Sequence, residues 1–325
     1  MKGYIRGTAF EFFHHHKTEG VYWNPQCREF TEEQWREKIR EMAGLKMEYI
    51  FMMCTSLAYE DSAETYYDNG PFPFPEEMAC KNPMEAVMDE CDKQGIKVFM
   101  GGGFYGNWVL PQVNMTDLTI RERLFQAVLD INEKFGYHES FYGWYYSDEI
   151  GLRDSGFPDF YCDYVNACSA YIRKINPEWK ILLAPYGVIN APKAEAALTE
   201  QLKDLDCDFI AWQDGIGCRH IKVEDIETCY AALKRAHDKA GRSKLWADME
   251  TFEFTGDVYK SALVPAAIER IEKQIDALTP YVEVITIYIY QGTMCPPDSP
   301  AQCGHETASK LYVDYKAKLD EYFNK

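Results

Sequence analysis

The stretch FYGWYYSDEI, residues 141–150, runs through apolar and aromatic residues and then meets two adjacent carboxylates, Asp148 and Glu149. A second pair stands in KLWADMETFEF, residues 244–254, where Asp248 and Glu250 are two apart and so share one side of an extended chain. Asp214 follows Trp212 and Gln213 in DFIAWQDGIG (208–217), and Glu11 lies within GYIRGTAFEFF (3–13). Carboxyls gathered in a half-buried place lose hydration and repel one another, so one holds its proton while another stays ionised. The first can donate a proton while the second acts as nucleophile or base. Cleavage of a glycosidic bond uses such a pair, about 5 Å apart for retention and roughly 6.5–9.5 Å apart for inversion.

Other residues could hold a sugar. Saccharide rings show apolar C–H faces that stack on aromatic planes, while their hydroxyls bond carboxylates and amides. Trp212 and Trp108 are the first candidates for a stacking floor, with Tyr146, Tyr186 and Tyr290 near the same strand ends. Asn107 and Gln213 are natural hydroxyl partners, and Asp148, Asp214 and Glu11 add acceptors. The 23 tyrosines in an aromatic content of 15% exceed what packing alone requires, so some rings should face a ligand. HHH at residues 14–16 invites a metal reading, because His14 and His16 would share one side of a strand. A closed site needs further ligands, and no HxxxH or CxxC accompanies them, so His14 and His16 are read as substrate contacts and neither a metal nor a cofactor is expected.

These residues need a frame that brings distant segments together. Eight apolar runs alternate with helical patterns: 3–13, 48–58, 97–105, 141–149, 180–188, 208–217, 244–254 and 282–290 are the strand-like ones. TEEQWREKIREMAGL opens on a threonine cap and closes near Gly44, and NPMEAVMDECDKQG opens on Asn82–Pro83 and stops at Gly95. Strict alternation implies parallel strands with right-handed crossovers, and eight units in this length predict a single (β/α)8 TIM barrel over residues 1–325. An open doubly wound sheet is the runner-up; MGGGFYG (100–106) lacks the spacing of a dinucleotide fingerprint. Connections from helix to strand are short, whereas those at 14–30, 59–81, 106–116, 255–264 and 291–304 are long. In a barrel the long set shares the carboxyl-end face, where barrel enzymes carry their chemistry.

GWYYSDEI at the end of a fourth strand resembles the acid/base strand of the large clan of retaining TIM-barrel glycosidases, and also a set of bacterial glycosidase-like barrels with a GWY..DE strand. The likeness covers the barrel in layout and two short motifs in detail. In that clan the acid/base Glu ends the fourth strand and the nucleophile Glu ends the seventh. The resemblance thus implies Glu149 as acid/base and Glu250 as nucleophile, with Asp248 and Glu253 as rivals for the second role. It also marks a departure: Asp148 stands where the clan usually carries an Asn that bonds the sugar 2-hydroxyl.

The formal charge of -18 argues against nucleic acid and anionic membranes as partners and favours a neutral or cationic small molecule or oligosaccharide. Eleven cysteines without framework spacing read as free, mostly buried thiols of a reducing compartment. MKGYIRGTAFEFFHHHK has no apolar signal region and no segment offers 18 uncharged apolar residues, so a cytoplasmic enzyme is expected, or an exported one had a signal been removed. Nothing in the pattern specifies an oligomer. The expected function is a hydrolase of carbohydrate metabolism, a glycosidase-like enzyme with two working carboxylates. A metal-dependent sugar isomerase or epimerase, using Glu149, Asp214, Glu250 and His14 or His16, is one alternative, and a silent carbohydrate-binding barrel is another.

Overall fold

A computed structural model describes residues 1–324. Its eight long-range strands are β1 (Ile5–Phe10), β2 (Tyr49–Met52), β3 (Lys97–Gly101), β4 (Phe141–Tyr145), β5 (Lys180–Leu183), β6 (Phe209–Gln213), β7 (Lys244–Glu250) and β8 (Ile285–Tyr288). All pair in parallel and close in the order β1-β8-β7-β6-β5-β4-β3-β2. The outer ring holds α1 (Glu32–Gly44), α2 (Pro83–Gln94), α3 (Leu118–Phe135), α4 (Asp159–Ile175), α5 (Ala191–Asp204), α6 (Ile226–Ala240), α7 (Ile268–Leu278) and α8 (Ala308–Phe323). The fold is therefore the (β/α)8 barrel that the alternation predicts. Local signals hold as well: Thr31 and Gln34 form a reciprocal capping box on α1, and Gly95 ends α2 at φ 69°.

The barrel is a packed core below and a site above. Tyr49, Phe99, Tyr142, Phe209 and Trp246 interlock at the amino ends of the strands, with Phe209 and Trp246 ring centroids 4.4 Å apart. Lys97 lies over the Tyr142 ring at 4.6 Å. In the next layer Phe51 meets Tyr145 at 5.1 Å. Both tyrosines of β4 face inward although they are three residues apart, because the β3–β4 register slips between Val98 and Phe99. Gly143 makes this possible: a Cβ there would lie 2.0 Å from the Lys180 carbonyl oxygen of β5.

Two departures from the sequence pattern matter for the site. The run 244–254 is not one strand. β7 stops at Glu250, and Phe252–Phe254 instead pairs antiparallel with Leu263–Pro265. Alternating residues continue through both sheets, so the pattern could not mark the break. The run 48–58 and the loop after it likewise hide a second hairpin, Ser56–Ala58 with Ala63–Thr65. All eleven thiols are free, and all but Cys162 and Cys218 are buried. Among the described residues no helix is long and apolar enough to cross a membrane.

Candidate active site

The carboxyl ends of the strands open on a cavity of about 640 Å³. Its charged lining is Glu19, Glu149, Asp248 and Glu250 with His15 and His220, and among the described residues no Lys or Arg contributes. Phe104, Trp108, Tyr186, Phe252, Tyr259 and Tyr288 form much of the wall.

Glu149 leaves the end of β4, directly above Tyr145. The Tyr145 hydroxyl donates to Glu149 Oε1 at 2.5 Å, and Gln213 Nε2, at the end of β6, donates to Oε2 at 2.5 Å and to the Ala184 carbonyl at 2.8 Å. Burial pushes the Glu149 carboxyl above its ordinary value; the two hydrogen bonds and the charge of His15 only moderate this. Glu149 therefore holds a proton more firmly than a free glutamate.

Glu250 ends β7, three strands around the ring from β4. The backbone N–H of Cys218 donates to Glu250 Oε2 at 2.7 Å. Behind it, fully buried Asp214 accepts from the N–H groups of Ile216 (3.1 Å) and Glu250 (3.2 Å) and from the Gln274 amide (2.6 Å). Burial lifts Asp214 to about 6 while its three donors hold it down, so the larger upward shift falls on Glu250. Burial and then the Asp214 charge raise it, while Arg270 opposes. Arg270 donates to the carbonyls of Glu250 and Phe252 at 2.9 and 2.7 Å, fixing the point where the chain quits the barrel. Asp248 also lines the cavity; burial and the charges of Glu149, Glu250 and Asp214 hold it well above the carboxylate range. Glu253 is half exposed and pairs with Arg270 at 3.7 Å, away from the cavity.

Of the residues expected at the site, Glu149, Glu250, Gln213, Trp108 and Tyr186 line one cavity. Several others do not, each for a visible reason. Trp212 is fully buried on the helix side of β6 and its Nε1–H donates to His237 of α6 at 3.2 Å. Tyr146 bonds Ser169 of α4 at 2.9 Å, and Tyr290 donates to Glu41 of α1 at 2.9 Å, so both also face the helix layer. Asp214 supports Glu250 from behind. Asp148 points away from the mouth and accepts from Asn114 Nδ2 at 2.8 Å, and the same amide holds the Asn107 carbonyl at 3.1 Å. Asn107 and Asp148 thus anchor the Trp108 loop and contribute no lining. Burial raises Asp148 to about 7.

The histidine run is the clearest correction. β1 ends at Phe10, so strand alternation does not reach residues 14–16. His15 enters the cavity, edge-on to Trp108 with ring centroids 4.5 Å apart, while His14 and His16 do not line it. Burial alone would lower His15, but the hydrogen bond and charge of Glu11 raise it overall. Buried Glu11 also accepts from the Tyr288 hydroxyl at 3.1 Å, and it backs the wall without lining it. His14 Nδ1 accepts the His16 N–H at 2.9 Å, which leaves the proton on Nε2, 2.8 Å from the Tyr288 oxygen. One atom each of Glu11, His14 and His15 falls within 4.8 Å of the others, yet this bonding leaves His14 no lone pair for an ion. Pattern reading missed His15, Glu19, Cys218, His220 and Tyr259. All come from loops whose course no periodicity encodes, although the long lengths of those loops marked the right face.

The profile of a family described as "Domain of unknown function (DUF4434)" matches residues 5–304. No curated protein matches the sequence significantly. Among solved structures, a fucosidase-like protein of Bacteroides thetaiotaomicron VPI-5482 is similar at TM-score 0.75 and 16% identity, covering 98% of this chain and 93% of that one. An endo-β-1,4-mannanase of Thermotoga petrophila gives 0.60 at 11% identity over 98% and 77%. An endo-1,4-β-mannanase of Rhizomucor miehei gives 0.57 at 10% identity over 98% and 95%. Identities this low carry the fold alone: the chain shares the (β/α)8 barrel of these structures.

Proposed function

The chain belongs to the family described as "Domain of unknown function (DUF4434)", and from that footing we propose that it is a glycoside hydrolase acting on neutral saccharides. Glu149 is the acid/base and Glu250 the nucleophile. The observation that carries this reading is that two glutamates from β4 and β7 line a single aromatic-walled cavity. Glu149, raised by burial, gives its proton to the leaving oxygen. Glu250, held through one oxygen by the Cys218 N–H, attacks the anomeric carbon with the other. Glu149, then ionised and steadied by Tyr145 and Gln213, draws a proton from the water that releases the sugar. Among the described residues the lining offers no Lys or Arg to pair with a uronate, sulfate or phosphate, so a neutral sugar suits it.

The isomerase alternative finds no support in the bonding of His14, whose ring nitrogens are both engaged. The test is turnover of aryl glycosides and neutral β-linked oligosaccharides by the wild type, Glu149→Gln and Glu250→Gln. Loss of about 10²–10⁴-fold in kcat for Glu149→Gln on a poor leaving group is expected, with Glu250→Gln inactive on all. Undiminished turnover in both variants sinks the proposal.

A further inference from the structure

We infer that Glu85, Asp89 and His138 form a site for a divalent transition-metal ion of the zinc class, on the helix ring and apart from the cavity. Glu85, Asp89 and Asp92 lie at positions i, i+4 and i+7 of α2, hence on one helix face. His138 reaches them from the turn between α3 and β4. Its Nδ1 lies 2.7 Å from Asp92 Oδ2, and the other Asp92 oxygen accepts the Ser140 N–H at 2.7 Å. A carboxylate only accepts, so the imidazole carries its hydrogen on Nδ1 and presents a lone pair at Nε2. That atom is buried and has no hydrogen-bond partner among the described residues, in a residue 4% exposed. The nearest carboxylate oxygen facing it, Glu85 Oε1, is 3.7 Å away, beyond hydrogen-bond length.

One ligand atom from each of Glu85, Asp89 and His138 lies within 4.8 Å of the other two. Ligands about 2.0–2.2 Å from a common ion are roughly 3–4 Å apart, so a small rotation of two half-exposed acid side chains closes the set. One imidazole and two carboxylates, with water completing the shell, suit Zn²⁺ and its neighbours better than Ca²⁺ or Mg²⁺. The surroundings already orient the donors. Asp92 backs the histidine as carboxylates back metal-bound imidazoles. The Tyr137 ring stacks on His138 with centroids 4.2 Å apart and its hydroxyl donates to Glu85, while Arg36 holds Asp89 Oδ2 at 2.8 Å. A bound ion would tie α2 to the entry of β4, the strand that carries Glu149 at its far end.

The rival explanation is an imidazolium shared by Asp92 and Glu85. The test is titration of the tag-free, chelator-treated full chain with Zn²⁺ by calorimetry, paired with Tm. One ion per chain, a rise in Tm, and Ca²⁺ and Mg²⁺ failing to compete are expected. Binding is lost in His138→Gln and in Glu85→Gln, the latter an isosteric change at a half-exposed side chain. Asp92→Asn weakens it about 10–100-fold. No stoichiometric binding by the wild type, equal binding by Glu85→Gln and His138→Gln, or binding removed only by Glu11→Gln would each overturn the site.

Discussion

Asp148 and Glu149 are adjacent in the chain, yet their carboxylates serve opposite sides of one wall. Glu149 faces the cavity, and Asp148 accepts a hydrogen bond from Asn114 behind the Trp108 loop. Neighbours on an extended chain diverge in this way, and the divergence separates chemistry from support.

Asp148→Ala should therefore act on binding more than on chemistry. It takes from the buried Asn114 amide one of its two acceptors, leaving only the Asn107 carbonyl, a loss of about 1–3 kcal/mol, and loosens the loop that holds Trp108 against His15. The expected outcome is a several-fold rise in KM with kcat nearly unchanged. A kcat loss as large as that of Glu149→Gln would place Asp148 in the chemistry instead.

The pH profile should report the Asp214–Glu250 pair. Burial and then Asp214 raise the pKa of Glu250, and Glu250 must be ionised to attack, so activity falls as pH drops through that raised value. Asp214→Asn removes the neighbouring charge and lowers the pKa of Glu250. The acid limb of kcat/KM should accordingly move to lower pH in the variant. A limb that stays put or moves upward contradicts the coupling.

Asp248 should cost stability at high pH. Its pKa in the fold is raised, so the stability of the protonated form is complete below the ordinary carboxylate value and is lost as pH rises. Asp248→Asn escapes that loss. Its advantage should be near zero at pH 4 and on the order of 1 kcal/mol or more at pH 8, seen as a Tm gain of about 2 °C. Equal pH dependence of Tm in the two proteins would argue against a buried protonated acid.

Gly143→Ala should damage both fold and site. The added methyl meets the Lys180 carbonyl and cannot move aside without shifting β5. Roughly 1–3 kcal/mol of destabilisation is expected by urea titration, with reduced turnover, because Tyr145 is the hydroxyl under Glu149. A variant as stable as the wild type would show that the register slip tolerates a Cβ.

The barrel was legible because each of its parts is local. Strand-like runs, the Thr31 cap, the Gly95 stop and the asymmetry of loop lengths follow from side-chain periodicity and backbone preference. The same reasoning put Glu149, Glu250 and Gln213 at the strand-end face, where they line the cavity, since residues at the ends of barrel strands have a direction set by the strand. It failed at Trp212, Tyr146 and Tyr290, which share those strand ends but face the helices. A β4 register slip, and the exact residue where a strand stops, flip such directions without changing composition.

What the sequence determined by itself is the ring of alternating units and the face on which acids and aromatics gather, because propensity and hydrophobic period act within a few residues. The tertiary structure alone decided which side chains meet there. Loops from β1, β3 and β7 deliver His15, Glu19, Trp108 and Tyr259 to one cavity, and α2 meets the turn before β4 around His138. Those contacts join residues far apart in the chain, and only closure of the barrel brings them within bonding distance.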